Sequence, residues 1–248
     1  MSQSSAKSGP LASDTAMVMA AGLGKRMRPL TASQPKPLVR VAGKPLIDYS
    51  LDHLGEAGVA KAVVNVHYLA DALEAHLAQR IRPPAIVVSD ERALLLETGG
   101  GMIRAQQQGL LPDPFFCLNS DNIWLDGPRN VFRELTGAWN PEQMDALLLL
   151  VSHPRAENYR GLGDFHLDAI GRITRRKPER VAPYIYTGIQ IVSHRLLRDP
   201  PFGPFSTNVL WQRAIEERRL FGLPHTGLWF EVGDPAAIAP TEALLAGA

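Results

Sequence analysis

Several common functional classes are excluded by what this chain lacks. It carries one cysteine, Cys117, in 248 residues. That rules out an internal disulfide framework and a cysteine-rich zinc site, and it suits an intracellular, cytoplasmic setting. Lysine and arginine total 26 against 25 acidic residues, a net charge of +1, so no global field gathers DNA, RNA or an anionic membrane. Aromatic residues make up only 7%, and none interleaves with basic residues to form a base-stacking platform. No apolar run approaches the roughly 18 residues of a membrane span. The first fifteen residues, MSQSSAKSGPLASDT, have no apolar middle of the kind a secretory signal needs; residues 1–15 are expected to form a flexible tail. The histidines show no HExxH spacing, so no zinc is assigned.

What is present is an alternation of apolar runs and amphipathic stretches, the order of a mainly parallel sheet with helices on both faces. AMVMAA reads as a first buried strand, PLIDYSLDHLGEAG as a helix closing at Gly58, KAVVNV as a second strand, LADALEAHLAQR as a helix, and AIVV as a third strand. MIRAQQQGL is expected to be helical after the glycines at 99–101, and FFCLNSD to be a fourth strand ending at Asp121. Past Trp124 the signal loosens. GDFHLDAIGRITRR suggests a hairpin, YIYTGIQIV a strand, and STNVLWQRAIEERR a helix capped by Ser206 or Thr207. LWFEV suggests a late strand and DPAAIAPTEALLAG a helix capped by Asp234. The fold class is thus α/β, a Rossmann-like mixed sheet flanked by helices, with residues 16–248 as one domain.

Chemistry concentrates behind the first strand, in MAAGLGKRMRPLTASQPKPL. Gly22 and Gly24 let the main chain approach an anion and aim amide hydrogens at it. From Lys25 to Lys44 stand Lys25, Arg26, Arg28, Lys36, Arg40 and Lys44 with no acidic residue among them. Such a local excess in a balanced chain calls for a polyphosphate. A Walker loop is excluded because Gly24-Lys25 runs into Arg26 and the earlier glycine is missing. A dinucleotide fingerprint is also a poor match, since the third glycine is absent and KAVVNVHY ends without an acid.

AAGLGKRMRPLT and PKPLVRVAGKPLID, followed in order by LETGGG, NSD, YTGIQIV and LWFEVGDP, resemble the signature of sugar-1-phosphate nucleotidyltransferases. Within that family the compact length, LETGGG and the GDF segment look most like the bacterial N-acetylmuramate 1-phosphate uridylyltransferases of peptidoglycan recycling. The resemblance implies a nucleotide-diphospho-sugar transferase fold, with a nucleotide-binding half over about 16–125 and a sugar-binding half over about 126–248. It implies a triphosphate held by Ala21, Gly22, Gly24, Lys25 and Arg26, and catalysis by Arg26 and Lys36. The base and ribose would lie against Thr98, Gly99, Gly100 and Asn119. The sugar phosphate would meet Asp164, Gly188 and Lys177, and Mg2+ would sit on Asp121 and on Glu231, where relatives usually carry Asp.

Partners implied are a nucleoside triphosphate and a sugar 1-phosphate, with no nucleic acid or membrane, in a monomer or homodimer. Leu94, Leu95 and Leu96 stand where guanylyltransferases often carry an acid, which favours UTP over GTP, although Glu91 is close enough to swing in. Arg176 occupies the place of an acid in the EKP segment of relatives; it could pair with a lactyl carboxylate, or belong to a solvated basic hairpin. Trp124 is expected to border the sugar. Two alternatives stay open: guanylyl transfer to mannose or heptose 1-phosphate, and an inactive regulatory protein that binds nucleotide sugars.

Overall fold

The computed structural model describes residues 9–247. Residues 1–8 of the expected tail lie outside the described residues. The rest of that segment is packed: Leu11 and Ala12 rest on the core, the Ala12 amide donates to Thr136 Oγ1 at 3.1 Å, and Thr15 opens the first strand.

The strands are β1 (Thr15–Met19), the ribbon β2 and β3 (Arg40–Val41, Lys44–Pro45), β4 (Lys61–Val66), β5 (Ala85–Asp90), β6 (Phe115–Asn119) and β7 (Ile123–Leu125). They continue with β8 (Ala146–Ser152), β9 (Ala156–Glu157), β10 (Phe165–Leu167), β11 (Ile173–Arg175), β12 (Tyr184–Val192), β13 (Leu220–Pro224) and β14 (Leu228–Phe230). The helices are α1 (Leu46–Ala57), α2 (Ala70–Ala78), α3 (Glu97–Gln107), α4 (Val131–Ala138), α5 (Thr207–Glu216) and α6 (Ile238–Ala246).

Among the described residues the main sheet has nine strands. β5, β4, β1 and β6 lie side by side and parallel. β12 then runs antiparallel to β6 on one side and to β8 on the other, and β13 closes that edge parallel to β8. The hairpin of β10 and β11 attaches to the start of β12. Away from the sheet, β7, β14 and β9 form a small sheet of their own.

The strand period explains the layers. On β1, Ala16 and Val18 face one apolar layer that includes Leu51 and Leu54 of α1, Leu73 of α2 and Phe132 of α4. Met17 faces the other way, onto Met102 of α3 and Leu210 and Trp211 of α5. A strand covered on both faces reads as a continuous apolar run rather than an alternating one, which is why TAMVM is legible as buried. Each large side chain in these layers contributes about 1.5–3 kcal/mol through its removal from water. Cys117 lies in the second layer, where burial pushes its thiol up to about 12.

Three expectations are corrected. Helix α3 begins at Glu97 and contains Gly99, Gly100 and Gly101 rather than following them. A β-carbon on Gly99 would meet Phe205 at 2.3 Å and one on Gly101 would meet Glu91 Oε1 at 2.8 Å, so these glycines let residue 205 and the Glu91 carboxyl approach the helix, and this packing offsets a helix penalty of about 1 kcal/mol each. Helix α4 and strand β13 were not anticipated. The final helix is divided: Asp234 caps a 3-10 turn over Pro235–Ala237, and α6 follows.

Candidate active site

The loop after β1 leaves the carboxyl end of the parallel strands, the edge where open α/β sheets take ligands. Its first amide, from Ala20, donates to Asn65 Oδ1 at 2.7 Å; Asn65 is the penultimate residue of β4. Gly24 is left-handed, φ +60°, and a β-carbon there would stand 3.0 Å from Lys36 Cβ and 3.1 Å from Thr31 Cγ2. Thr31 Oγ1 donates to the Gly24 carbonyl at 2.9 Å. Glycine is therefore required where the basic loop folds back upon Lys36.

Two cavities meet at this loop. One, of about 480 Å3, is lined by Ala21 to Met27, Asn65, Leu95, Thr98 and Asn119, among others. The other, of about 230 Å3, is lined from the second half of the chain by Tyr159, Asp164, Thr187, Gly188, Trp229 and Glu231. Arg26, Lys36, Asn119, Asp121 and Gly233 line both. Their shared wall is polar and bipolar in charge. Lys36 Nζ donates to Asp121 Oδ2, and Arg26 Nη1 stands 3.6 Å from Glu231 Oε1. Gly233 leaves space for that arginine: a β-carbon there would lie 2.9 Å from its Nη1.

Asp121 projects from the turn two residues past β6, and Glu231 follows directly on β14. The Glu231 amide is fixed by the Glu157 carbonyl at 3.0 Å. Gly188 sits in an irregularity where β12 changes register against β8 between Tyr186 and Gln190. Its φ is +84°, and a β-carbon would stand 2.7 Å from Asn119 Nδ2 and 2.8 Å from Asn122 Nδ2. Thr187 Oγ1 donates to Leu149 O, and Trp229 Nε1 donates to Thr187 O at 3.0 Å, which holds the irregularity in shape. Asn122 Nδ2 is buried with no hydrogen-bond partner. Asp164 is anchored at the other wall, with Oδ2 accepting from the Tyr186 amide at 2.9 Å.

The sequence-derived site residues divide accordingly. Ala21, Gly22, Gly24, Lys25, Arg26, Lys36, Thr98 and Asn119 line the first cavity, and Asp121, Asp164, Gly188 and Glu231 line the second. Gly99 and Gly100 lie outside the lining of both: their amides donate to Phe205 O at 2.9 and 3.3 Å, so they hold a wall in place instead of making room for a base. Lys177 is exposed and outside both cavities, because its turn bends away, held by Arg176 through the Lys177 carbonyl. Trp124 is buried and stacked on His53 at 4.1 Å; Trp229 borders the second cavity instead. Glu91 does not swing in. It is 1% exposed, with Asn65 Nδ2 donating to Oε1 at 2.9 Å, and burial raises its carboxyl above the ordinary range.

Asn65, Tyr159, Thr187 and Gly233 were missed. Asn65 had a signal, since a lone amide in the apolar run KAVVNV needs a polar reason to be there. The others are brought in by tertiary folding alone.

Asp121 and Glu231 offer oxygen donors to one cavity. Among the described residues no group of three or more His, Cys, Asp or Glu side chains is arranged around a common point. Magnesium is a hard cation usually bound through one or two carboxylates, its other positions filled by water and phosphate oxygens. The donor set fits such an ion.

A two-part cleft at the sheet's carboxyl edge, with a glycine-rich cationic loop on one side and carboxylates on the other, defines a phosphate-handling nucleotide enzyme. The nucleotidyl transferase family model matches residues 15–239, and the chain belongs to that family. It is 46% identical over 237 residues to the N-acetylmuramate alpha-1-phosphate uridylyltransferase of Caulobacter vibrioides, covering 94% of this chain and 97% of that one. It is 34% identical to the same-named protein of Neisseria meningitidis, over 92% of this chain and 97% of that one. The fold is that of the inositol-1-phosphate CTP transferase from T. maritima, with a TM-score of 0.75 at 19% identity over 95% of this chain and 96% of that one.

Proposed function

We propose that this chain joins UTP to N-acetylmuramate 1-phosphate, giving the uridine diphosphate sugar and pyrophosphate. The observation that carries the reading is the meeting of the two cavities at Arg26, Lys36 and Asp121. A nucleotide in the larger cavity and a sugar phosphate in the smaller would face one another across that wall.

Chemically, an oxygen of the sugar phosphate forms a bond to the α-phosphorus, the bond from that phosphorus to the β-bridging oxygen breaks, and pyrophosphate leaves with the electron pair. Two polyanions must be held together. At 4 Å two unit charges repel by about 4 kcal/mol at an effective dielectric of 20, so catalysis lies mainly in positioning and preorganised positive charge. The amides of Gly22 to Arg26 face the triphosphate. Arg26 lies where charge develops at the α-phosphate, and Lys36 bridges the reacting groups. Both cations start out paired with carboxylates, so the loop is held open in a defined shape and exchanges carboxylate for phosphate on binding. Magnesium, held by Asp121 and Glu231, would supply further positive charge to the phosphate oxygens.

Gly188, Asn122 and Asp164 present a close backbone approach, an unpaired amide donor and a carboxylate acceptor, a suitable set for sugar hydroxyls and an N-acetyl group. UTP is favoured because Leu95 lines the base end of the cleft and Glu91 is turned away into its contact with Asn65. Such an enzyme would act in the cytoplasm in the reuse of cell-wall amino sugars.

The test crosses UTP, GTP, CTP and ATP with N-acetylmuramate, N-acetylglucosamine and mannose 1-phosphates, reading pyrophosphate release with magnesium. Highest turnover is expected with UTP and N-acetylmuramate 1-phosphate. Preference for GTP with mannose 1-phosphate would overturn the substrate assignment, and no turnover with any pair would favour a binding protein.

A further inference from the structure

Two walls of the larger cavity come from separate parts of the chain. One is the loop after β1, which begins at Ala20; the other is residues 95–98, where α3 begins, and Leu95, Glu97 and Thr98 of that segment face the cavity. A buried polar relay joins them. The Ala20 amide donates to Asn65 Oδ1 at 2.7 Å, Asn65 Nδ2 donates to Glu91 Oε1 at 2.9 Å, and the Leu96 amide donates to Glu91 Oε2 at 3.4 Å. Asn65 is 2% exposed and Glu91 1%.

Each part of the relay is supported from outside it. Gly101 makes room, since a β-carbon there would stand 2.8 Å from Glu91 Oε1 and 3.0 Å from Asn65 Nδ2. The Glu91 amide donates to Val66 O at 2.8 Å, and its carbonyl accepts from His67 Nδ1 at 2.8 Å. Leu96 is held at both ends, because its carbonyl accepts from the Phe205 amide at 3.2 Å. The relay also has a direction. Position 65 must accept from Ala20 and donate to Glu91 at once, which a side-chain amide does and neither a carboxylate nor an ammonium can. Burying a carboxylate is costly, and apolar residues of similar volume often serve stability as well. A pair kept at that cost, with one end on each wall of a ligand cavity, has a use in binding.

Resting on the reading above that UTP fills the larger cavity, we propose that Asn65 and Glu91 are positioning residues whose relay fixes the distance between the phosphate loop and the wall at the base end. UTP then meets two walls already set apart correctly, and neither has to be ordered on binding. The two residues act through Ala20 and Leu96 and not on the reacting atoms, so their effect falls on nucleotide affinity.

The experiment reads UTP affinity by titration calorimetry, in EDTA and with magnesium, together with kcat and both KM values. Asn65→Leu, similar in size and without polar atoms, cuts the relay in its middle. Glu91→Gln leaves one carbonyl oxygen for two donors and breaks one link. Combining Asn65→Asp with Glu91→Gln reverses the middle bond: the new carboxylate accepts from Ala20 and from the new amide, whose carbonyl accepts from Leu96. Hydrogen bonds to a charged group correspond to about a 10- to 100-fold effect. UTP should bind more weakly by that factor in Asn65→Leu and by about 5- to 10-fold in Glu91→Gln. KM for UTP should follow, KM for the sugar phosphate should stay unmoved, and the double variant should recover most of the loss. A purely structural pair would instead lower the melting temperature and kcat with both KM values unmoved. UTP affinity within about twofold of the unmodified chain in both single variants, or a double variant no tighter than Glu91→Gln, overturns the proposal. Where Asn65→Leu does not fold, Glu91→Gln and the reversed pair decide. If the unmodified chain binds no UTP in either condition, the substrate reading has failed, and this one with it.

Discussion

Exchange of carboxylate for phosphate at the loop has a counterintuitive consequence for Asp121→Asn. In the resting molecule Lys36 Nζ is paired with Asp121, the two side chains being 13% and 31% exposed. The bare attraction of such a pair is about 4 kcal/mol at 4 Å and an effective dielectric of 20. Desolvation and screening leave about 1 kcal/mol for pairs of partial exposure. That attraction opposes triphosphate binding, because Lys36 must give up the carboxylate to reach phosphate, and the carboxylate also repels the incoming anion. Without a divalent ion, Asp121→Asn removes both costs at once, and UTP should bind about 5- to 10-fold tighter. With magnesium present, the same change removes a proposed ligand and should lower kcat by about 10²- to 10³-fold, the size found on deleting one preorganised stabiliser of transition-state charge. Titration calorimetry with UTP in EDTA reads the first effect, and pyrophosphate release reads the second. Unchanged or weaker metal-free binding would show that Lys36 is not held back by Asp121. Retained turnover would remove Asp121 from the site altogether.

Three further changes probe the frame around the cleft. Gly188→Ala places a β-carbon 2.7 Å from Asn119 Nδ2 at a φ of +84°; the backbone alone costs about 1–2 kcal/mol, and KM for the sugar phosphate should rise more than KM for UTP in steady-state kinetics. Glu91→Gln tests the buried carboxyl. Because burial raises its folded value, the native state keeps the proton over a pH interval where the unfolded chain has lost it. Its stabilising contribution is thus full below the ordinary glutamate range and is lost as pH rises through that range to the raised value, so the melting temperature of the glutamine variant should decline less across that interval. Leu51→Ala opens a cavity at a fully buried site of α1 and should cost about 2–5 kcal/mol in chemical denaturation, with the site geometry and substrate preference retained.

What the sequence could reveal depended on how local each cause was. Strands β1, β4 and β6 are apolar runs between turn signals, and the Gly58 stop of α1, with φ 94°, is a property of one residue; both are legible along the chain. The cationic loop was legible for the same reason, since Lys25, Arg26 and Lys36 fall within one short segment of uniform charge. Helix α3 was misjudged because helix propensity weighs against three successive glycines, whereas close contacts formed only by folding, Phe205 on Gly99 and Glu91 with Asn65 on Gly101, favour them. Trp124 was expected to border the sugar, whereas Trp229, its direct partner across β7 and β14, lines the cavity. Direct pairing puts both rings on one face of the small sheet, and it is their neighbours in the folded chain that stack His53 on Trp124 and leave Trp229 at the cavity. Arg175 and Arg176 make the same point at higher stakes. They are adjacent residues of one type, and only the pleat of β11 decides which stacks on Phe165 and keeps a donor unspent. It leaves the other spending its donors on loop carbonyls. Strand register thus places one cation over the Phe165 ring and commits its neighbour to the turn.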